Sequence, residues 1–235
     1  MMAGFLRMLL GFAMLPLCWG VARSFIDAVR VSAGADGAFS AEAISLLGGI
    51  AAFALCWAAL SHPVRTYVLG HELTHALWGL MFGACPSDVR VGAMGGSVRL
   101  TKTNFLITLA PYFFPFYTFV VVIVALLTYA FLRPLPYLPL WMFLIGFTWA
   151  FHVLFTLETL TQRQPDVKLY GRVFSWTFIF LVNVAIVLLW LAATTSLSFR
   201  ELGSILLGRV TSAYIAVGVA FWSAARWVYG IIRGK

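Results

Sequence analysis

The chain has 235 residues, of which 62% are apolar and 10% charged, with a mean hydropathy of +0.95. A soluble domain is nearer half apolar and about a quarter charged, so this composition excludes an ordinary water-soluble globule and points to an integral membrane protein. The net charge of +8 does not indicate a nucleic-acid partner, because the basic residues are scattered instead of forming a patch or stripe.

Seven apolar runs follow one another: Gly4 to Ala22, Ile44 to Leu60, Val64 to Phe82, Phe105 to Leu132, Tyr137 to Leu157, Tyr170 to Ala193 and Leu206 to Ile232. Each is close to the roughly 17–25 residues that cross a hydrocarbon core. The expected fold is an all-α polytopic membrane protein of six to seven transmembrane helices, with a small β-hairpin after the third run. No internal repeat or long linker breaks the chain, so residues 1–235 read as a single transmembrane domain. Within the first run Arg7 precedes the apolar stretch Met8 to Leu15 much as in a signal peptide, but Trp19-Gly20 ahead of Val21 makes a poor cleavage site, and a retained helix is expected. Between the first and second runs, Gly34-Ala35-Asp36-Gly37 predicts a loop within Arg23 to Glu42. Eleven of the 16 Lys and Arg residues then fall on the side that holds the C-terminus, which predicts a cytoplasmic C-terminus. Cys18, Cys56 and Cys85 have no paired spacing and suggest neither a disulfide framework nor a cysteine metal site.

The third run carries the most informative residues, His71-Glu72-Leu73-Thr74-His75. Positions i and i+4 of an α-helix differ by about 40° in azimuth and ~6 Å in rise, so the two imidazoles converge on one point. Zn2+ suits that point, and in this pattern the glutamate is a general base acting on water at the metal. The competing reading is two structural histidines satisfied by neighbours. Polar and ionisable groups at membrane depth cost a few kcal/mol each, which favours a metal or another partner.

After this helix, Val89-Arg90-Val91 and Ser97-Val98-Arg99-Leu100 alternate around Gly95-Gly96 and predict a hairpin. An isolated pair of strands leaves an unpaired edge that can receive an extended peptide. The fourth run contains Ala110-Pro111-Tyr112-Phe113-Phe114-Pro115, whose two prolines predict a kink and freed carbonyls. A catalytic zinc usually has three protein ligands and an open position. Candidates for the third are His152, Glu158, Asp166 and the distant Glu201. Against these stand an aromatic-packed identity for His152, pairing of Glu158 with Arg163, and a helix-start role for Asp166 after Pro165. His62, beside Pro63, reads as an interfacial residue.

The succession His71-Glu72-Leu73-Thr74-His75-Ala76, Gly83, the Gly95-Gly96 hairpin and Ala110-Pro111 resembles the site-2 protease family of intramembrane zinc metalloproteases, in its compact bacterial branch. The resemblance covers Val64 to Arg172. It implies that the third zinc ligand is an aspartate in a proline-containing motif ending Asp-Gly, and Asp166 after Pro165 looks like that residue. Val167 stands where the family often has glycine, and no asparagine precedes Pro165 to polarise a scissile carbonyl. Gln164 or Gln162 is the candidate substitute. On this resemblance Glu72 is catalytic and His71, His75 and Asp166 hold the metal. The substrates are single-span membrane proteins, such as anti-sigma factors, or signal-peptide remnants, and the membrane is a bacterial inner membrane. Two other readings stand beside it: an inactive membrane protein of the same fold that binds or traffics a partner, and a solute transporter, whose usual paired repeats are not evident.

Overall fold

A computed structural model describes residues 2–36, 40–92, 95–162 and 164–234. Its elements are α1 (Met2–Ala13), α2 (Leu15–Asp36), α3 (Ala41–Ala59), α4 (Val64–Met81), β1 (Pro86–Gly92), β2 (Gly95–Leu100), α5 (Phe105–Phe113), α6 (Phe116–Phe131), α7 (Leu138–Thr161), α8 (Pro165–Leu169), α9 (Arg172–Thr194) and α10 (Phe199–Ile232). Among the described residues five helical segments are long and apolar enough to cross a membrane: 4–34, α3, α7, α9 and α10. A sixth span arises if α5 and α6 count together, bent by 75° at the Phe114-Pro115 break. This is a mostly helical, membrane-type architecture. Of the seven apolar runs, only α4 falls short of that standard, because Arg65, Thr66, His71, Glu72, Thr74 and His75 dilute its hydropathy.

The chain forms two compact units, residues 1–37 with 171–235 and residues 38–170. In the first unit α2 continues through Arg23 and Arg30 to Asp36, where the sequence predicts a loop. The reason is local charge pairing: Asp27 lies one turn before Arg30, 3.8 Å away, and takes Arg209 of α10 as a second partner. Arg209, within the last apolar run, lies inside α10. Gly37 lies outside the described residues. Val21, Ala28, Leu188, Ala192, Leu197 and Leu202 form this unit's core. Ser198 opens α10 with a reciprocal capping box to Glu201.

The second unit contains the hairpin and α3 to α8. Helices α3 and α7 cross closely on two glycines: a Cβ on Gly49 would collide with the Phe143 carbonyl, and one on Gly146 with that of Leu46. Phe53, Ala150, Phe151 and Phe155 make the adjoining core, with Tyr67 and Tyr117 packed against it. Helix α4 ends in a Schellman motif. Gly83 adopts φ +72°, the Gly83 N–H donates to the Leu80 carbonyl at 2.9 Å, and the Ala84 N–H donates to that of Gly79 at 2.8 Å. That left-handed turn sends the chain back along α4 as the hairpin.

The strands pair antiparallel, Pro86 opposite Leu100 and Gly92 opposite Gly95. Asp88 and Val89 together face Val98, a bulge with Asp88 at φ +54°. Gly95 and Gly96 begin β2 instead of forming the turn. Gly96 is needed there for close approach: a Cβ would lie 2.6 Å from Val68 Cγ1 and 2.8 Å from Glu72 Cγ. The hairpin thus packs directly on the α4 face that carries Glu72.

Candidate metal centre

His71 and His75 project from one face of α4, as their spacing requires. Asp166 comes from α8, a single turn begun by Pro165, whose fixed φ suits the first helical position. Its carboxylate Oδ2 lies 3.5 Å from Nε2 of His71 and 3.5 Å from Nε2 of His75. One ligand atom from each residue falls within 4.8 Å of the other two, a group that could hold a metal ion. His152, Glu158 and Glu201 are outside this cluster.

The second partners of these side chains matter because they set tautomer and orientation. His75 Nδ1 donates to the Ile107 carbonyl at 2.9 Å, which leaves Nε2 unprotonated in a neutral ring and able to bind a metal. That carbonyl is available because its usual helical partner would be the N–H of residue 111, and Pro111 has none. The freed carbonyl foreseen from the proline therefore has a definite use. Tyr112 Oη donates to Asp166 Oδ2 at 3.2 Å, from a fully buried ring on α5. Burial would raise the Asp166 carboxyl, but in the metal-free site hydrogen bonds and charge from protonated His71 and His75 outweigh it and hold the group well below the usual carboxylate range. Tyr112 carried no assigned role in the sequence. Its signal was a buried hydroxyl beside a proline, which requires a partner.

These residues open on a cleft of about 900 Å³. Glu72, only 6% exposed, lines it together with β2 residues Gly95 to Val98. Gln162 and Gln164 line it too, at the junction where α7 gives way to α8. Both oxyanion candidates are therefore beside the cleft. Glu158 lines it as well, but its carboxylate faces His62 Nδ1 at 3.6 Å. His62 stacks on Trp57, ring centroids 3.7 Å apart, and its Nε2 reaches the Trp57 carbonyl at 3.2 Å. Arg163, the expected partner of Glu158, lies outside the described residues. His152 is buried on α7.

Fold and site together define a multi-helix membrane protein with a His-His-Asp cluster at a cleft. No family signature, curated protein or solved structure matches the chain.

Proposed function

We propose that the protein is an intramembrane zinc metalloprotease that hydrolyses peptide bonds of membrane-spanning substrates. The observation that carries this reading is the pair of 3.5 Å separations from Asp166 Oδ2 to the two imidazole Nε2 atoms, beside Glu72 in the same cleft. Tetrahedral zinc with bonds of ~2.0–2.2 Å holds its ligand atoms roughly 3.3–3.5 Å apart, the spacing of Asp166 Oδ2 from each imidazole, and all three donor atoms lie within 4.8 Å of one another. Two neutral imidazoles and one carboxylate are also a frequent donor set for catalytic zinc, and three ligands leave a position open. Zinc bound there supplies a Lewis acid that activates water and polarises a carbonyl.

The chain's own groups account for the remaining chemistry. Glu72 accepts a proton from the attacking water and returns it to the amine nitrogen of the leaving peptide. Its side chain is largely buried in the wall of the cleft that His71, His75 and Asp166 also line. Substrate helices hide their amides in lipid, so a segment must unwind before it can react. The edge of β2 along the cleft offers replacement backbone hydrogen bonds by strand addition. Gln162 and Gln164, which line the cleft together with Asp166, are the candidate side-chain donors to a developing oxyanion. The fitting substrate is a single-span membrane protein or a signal-peptide remnant, and the setting consistent with it is a bacterial inner membrane.

The test uses the purified full chain and a co-expressed single-span reporter. Wild type is expected to contain about one zinc per chain and to cleave the reporter. Glu72→Gln should retain the zinc and lose cleavage by at least ~100-fold, the lower range for removing a general base. Undiminished cleavage by Glu72→Gln would rule out the mechanism, and iron in place of zinc would redirect the chemistry away from hydrolysis.

A further inference from the structure

Two of the three candidate ligands are oriented by protein groups: His75 by the Ile107 carbonyl and Asp166 by the Tyr112 hydroxyl. His71 is the exception. Its Nδ1 is buried and has no hydrogen-bond partner among the described residues. If Nε2 is to bind a metal from a neutral ring, Nδ1 must carry the proton, and a buried N–H without an acceptor costs about 1–3 kcal/mol.

A small cavity adjoins this histidine. It spans about 20 Å³ and is lined by residues of α4, α5, α6 and α7, including His71, Thr74, Tyr117 and His152. One water needs roughly 10–15 Å³ of such space and two to four polar partners. Thr74 Oγ1 already donates to the Gly70 carbonyl at 2.7 Å, and Tyr117 Oη to that of Thr66 at 2.6 Å. Both hydroxyls can therefore offer the cavity only acceptor lone pairs. His152, buried on the α7 wall, brings a ring that can accept as well as donate. Tyr67, with its own buried hydroxyl, and the apolar rings of Phe114, Phe116 and Phe151 also line the cavity, with Gly70 and Pro111.

We propose that this cavity holds one ordered water that accepts the Nδ1 proton of His71 and is itself anchored by His152, which makes His152 a positioning residue for the metal centre. The water accepts from His71, donates to the unprotonated nitrogen of His152, and has a second proton for the Thr74 or Tyr117 oxygen. His152 thereby acts on the metal through His71 and takes no part in the chemistry. The inference rests on the metal-binding reading above.

The experiment measures zinc affinity by chelator competition on the detergent-solubilised full chain, together with thermal unfolding of the metal-free protein. His152→Leu is expected to weaken zinc binding by ~10–100-fold, the usual loss for an orienting partner of a metal-bound histidine. His152→Gln, which can still anchor a water, should recover most of that loss. A purely structural histidine would lose affinity and metal-free stability in parallel, with no rescue by glutamine, and that result overturns the proposal. So does His152→Leu with wild-type affinity. Wild-type protein that takes up no zinc through His71 and His75 would remove the metal centre itself, and this inference with it. Histidine 15N spectra of the wild-type zinc form give a reading that needs no variant to fold. His71 should be protonated at Nδ1, and ligation through Nδ1 instead would also sink the idea.

Discussion

Each imidazole in this centre has two nitrogens, and the partner of the outward one decides whether the inward one can bind. His75 illustrates the point, since the donation from Nδ1 to the Ile107 carbonyl leaves Nε2 bare. Asp166 is held differently: Tyr112 donates to Oδ2, the same oxygen that faces both histidines, and so fixes the direction of the carboxylate. Tyr112→Phe keeps the buried ring and removes only this donor. Its zinc affinity is expected to fall about 10-fold, the lower end for an outer-sphere partner, with little change in metal-free unfolding. Chelator competition reads the first quantity and circular dichroism melting the second. Wild-type affinity in Tyr112→Phe would mean that the tyrosine does not orient the aspartate. His71, Glu72 and His75 were legible in the sequence because their i, i+1, i+4 spacing makes geometry local to one helix. Tyr112 and the Ile107 carbonyl were not, because their roles exist only once α5 lies against α4.

Among the elements, α4 and the hairpin are coupled most tightly to the site. The hairpin is too short to be stable alone, and it gains its support by lying on α4, with Gly96 against Val68 and Glu72 and Leu100 against Gly79. Gly96→Ala places a methyl 2.6 Å from Val68 Cγ1 and 2.8 Å from the Arg90 carbonyl, and the backbone cannot yield without breaking the ladder. A cost of about 1–3 kcal/mol is expected, typical of overpacking, with reporter cleavage reduced more than zinc affinity. Equal losses of cleavage and zinc would instead mean that the hairpin supports the metal and not the substrate. The alternation of residues marked the strands, but it put Gly95-Gly96 at the turn. Backbone proximity to Glu72, and not turn geometry, explains Gly96. The proline pair gave a clearer signal: Pro115 opens α6 after a 75° bend, and Pro111 frees the carbonyl that His75 takes.

For the molecule as a whole, every group in the metal centre belongs to the unit of residues 38–170. Zinc should therefore stabilise that unit by linkage, by about 2.7 kcal/mol when free metal is ~100 times its dissociation constant. Melting scans with zinc and with chelator test this, and identical curves would speak against a resident metal. The other unit has its own ionic contact between Asp27 and Arg209. Asp27→Asn is expected to lower thermal stability while leaving zinc affinity at the wild-type value, because it removes a charge partner in the unit that holds none of the ligands. A parallel fall in zinc affinity would show that the two units depend on each other for metal binding.

Composition and run length were enough to reveal a helical membrane protein, because hydropathy is a property of each segment alone and needs no partner. The pentapeptide in α4 was readable for the same reason: a single helix brings its two histidines together. Asp166 was different, 91 residues beyond His75 in the chain: the sequence offered it as one of four candidates, and resemblance chose among them. Its carboxylate meets the imidazoles only through the packing of α4, α5 and α8, contacts distant in sequence that no local pattern encodes. Folding likewise excluded Glu158 by turning it toward His62, and brought His152 to the cavity beside His71.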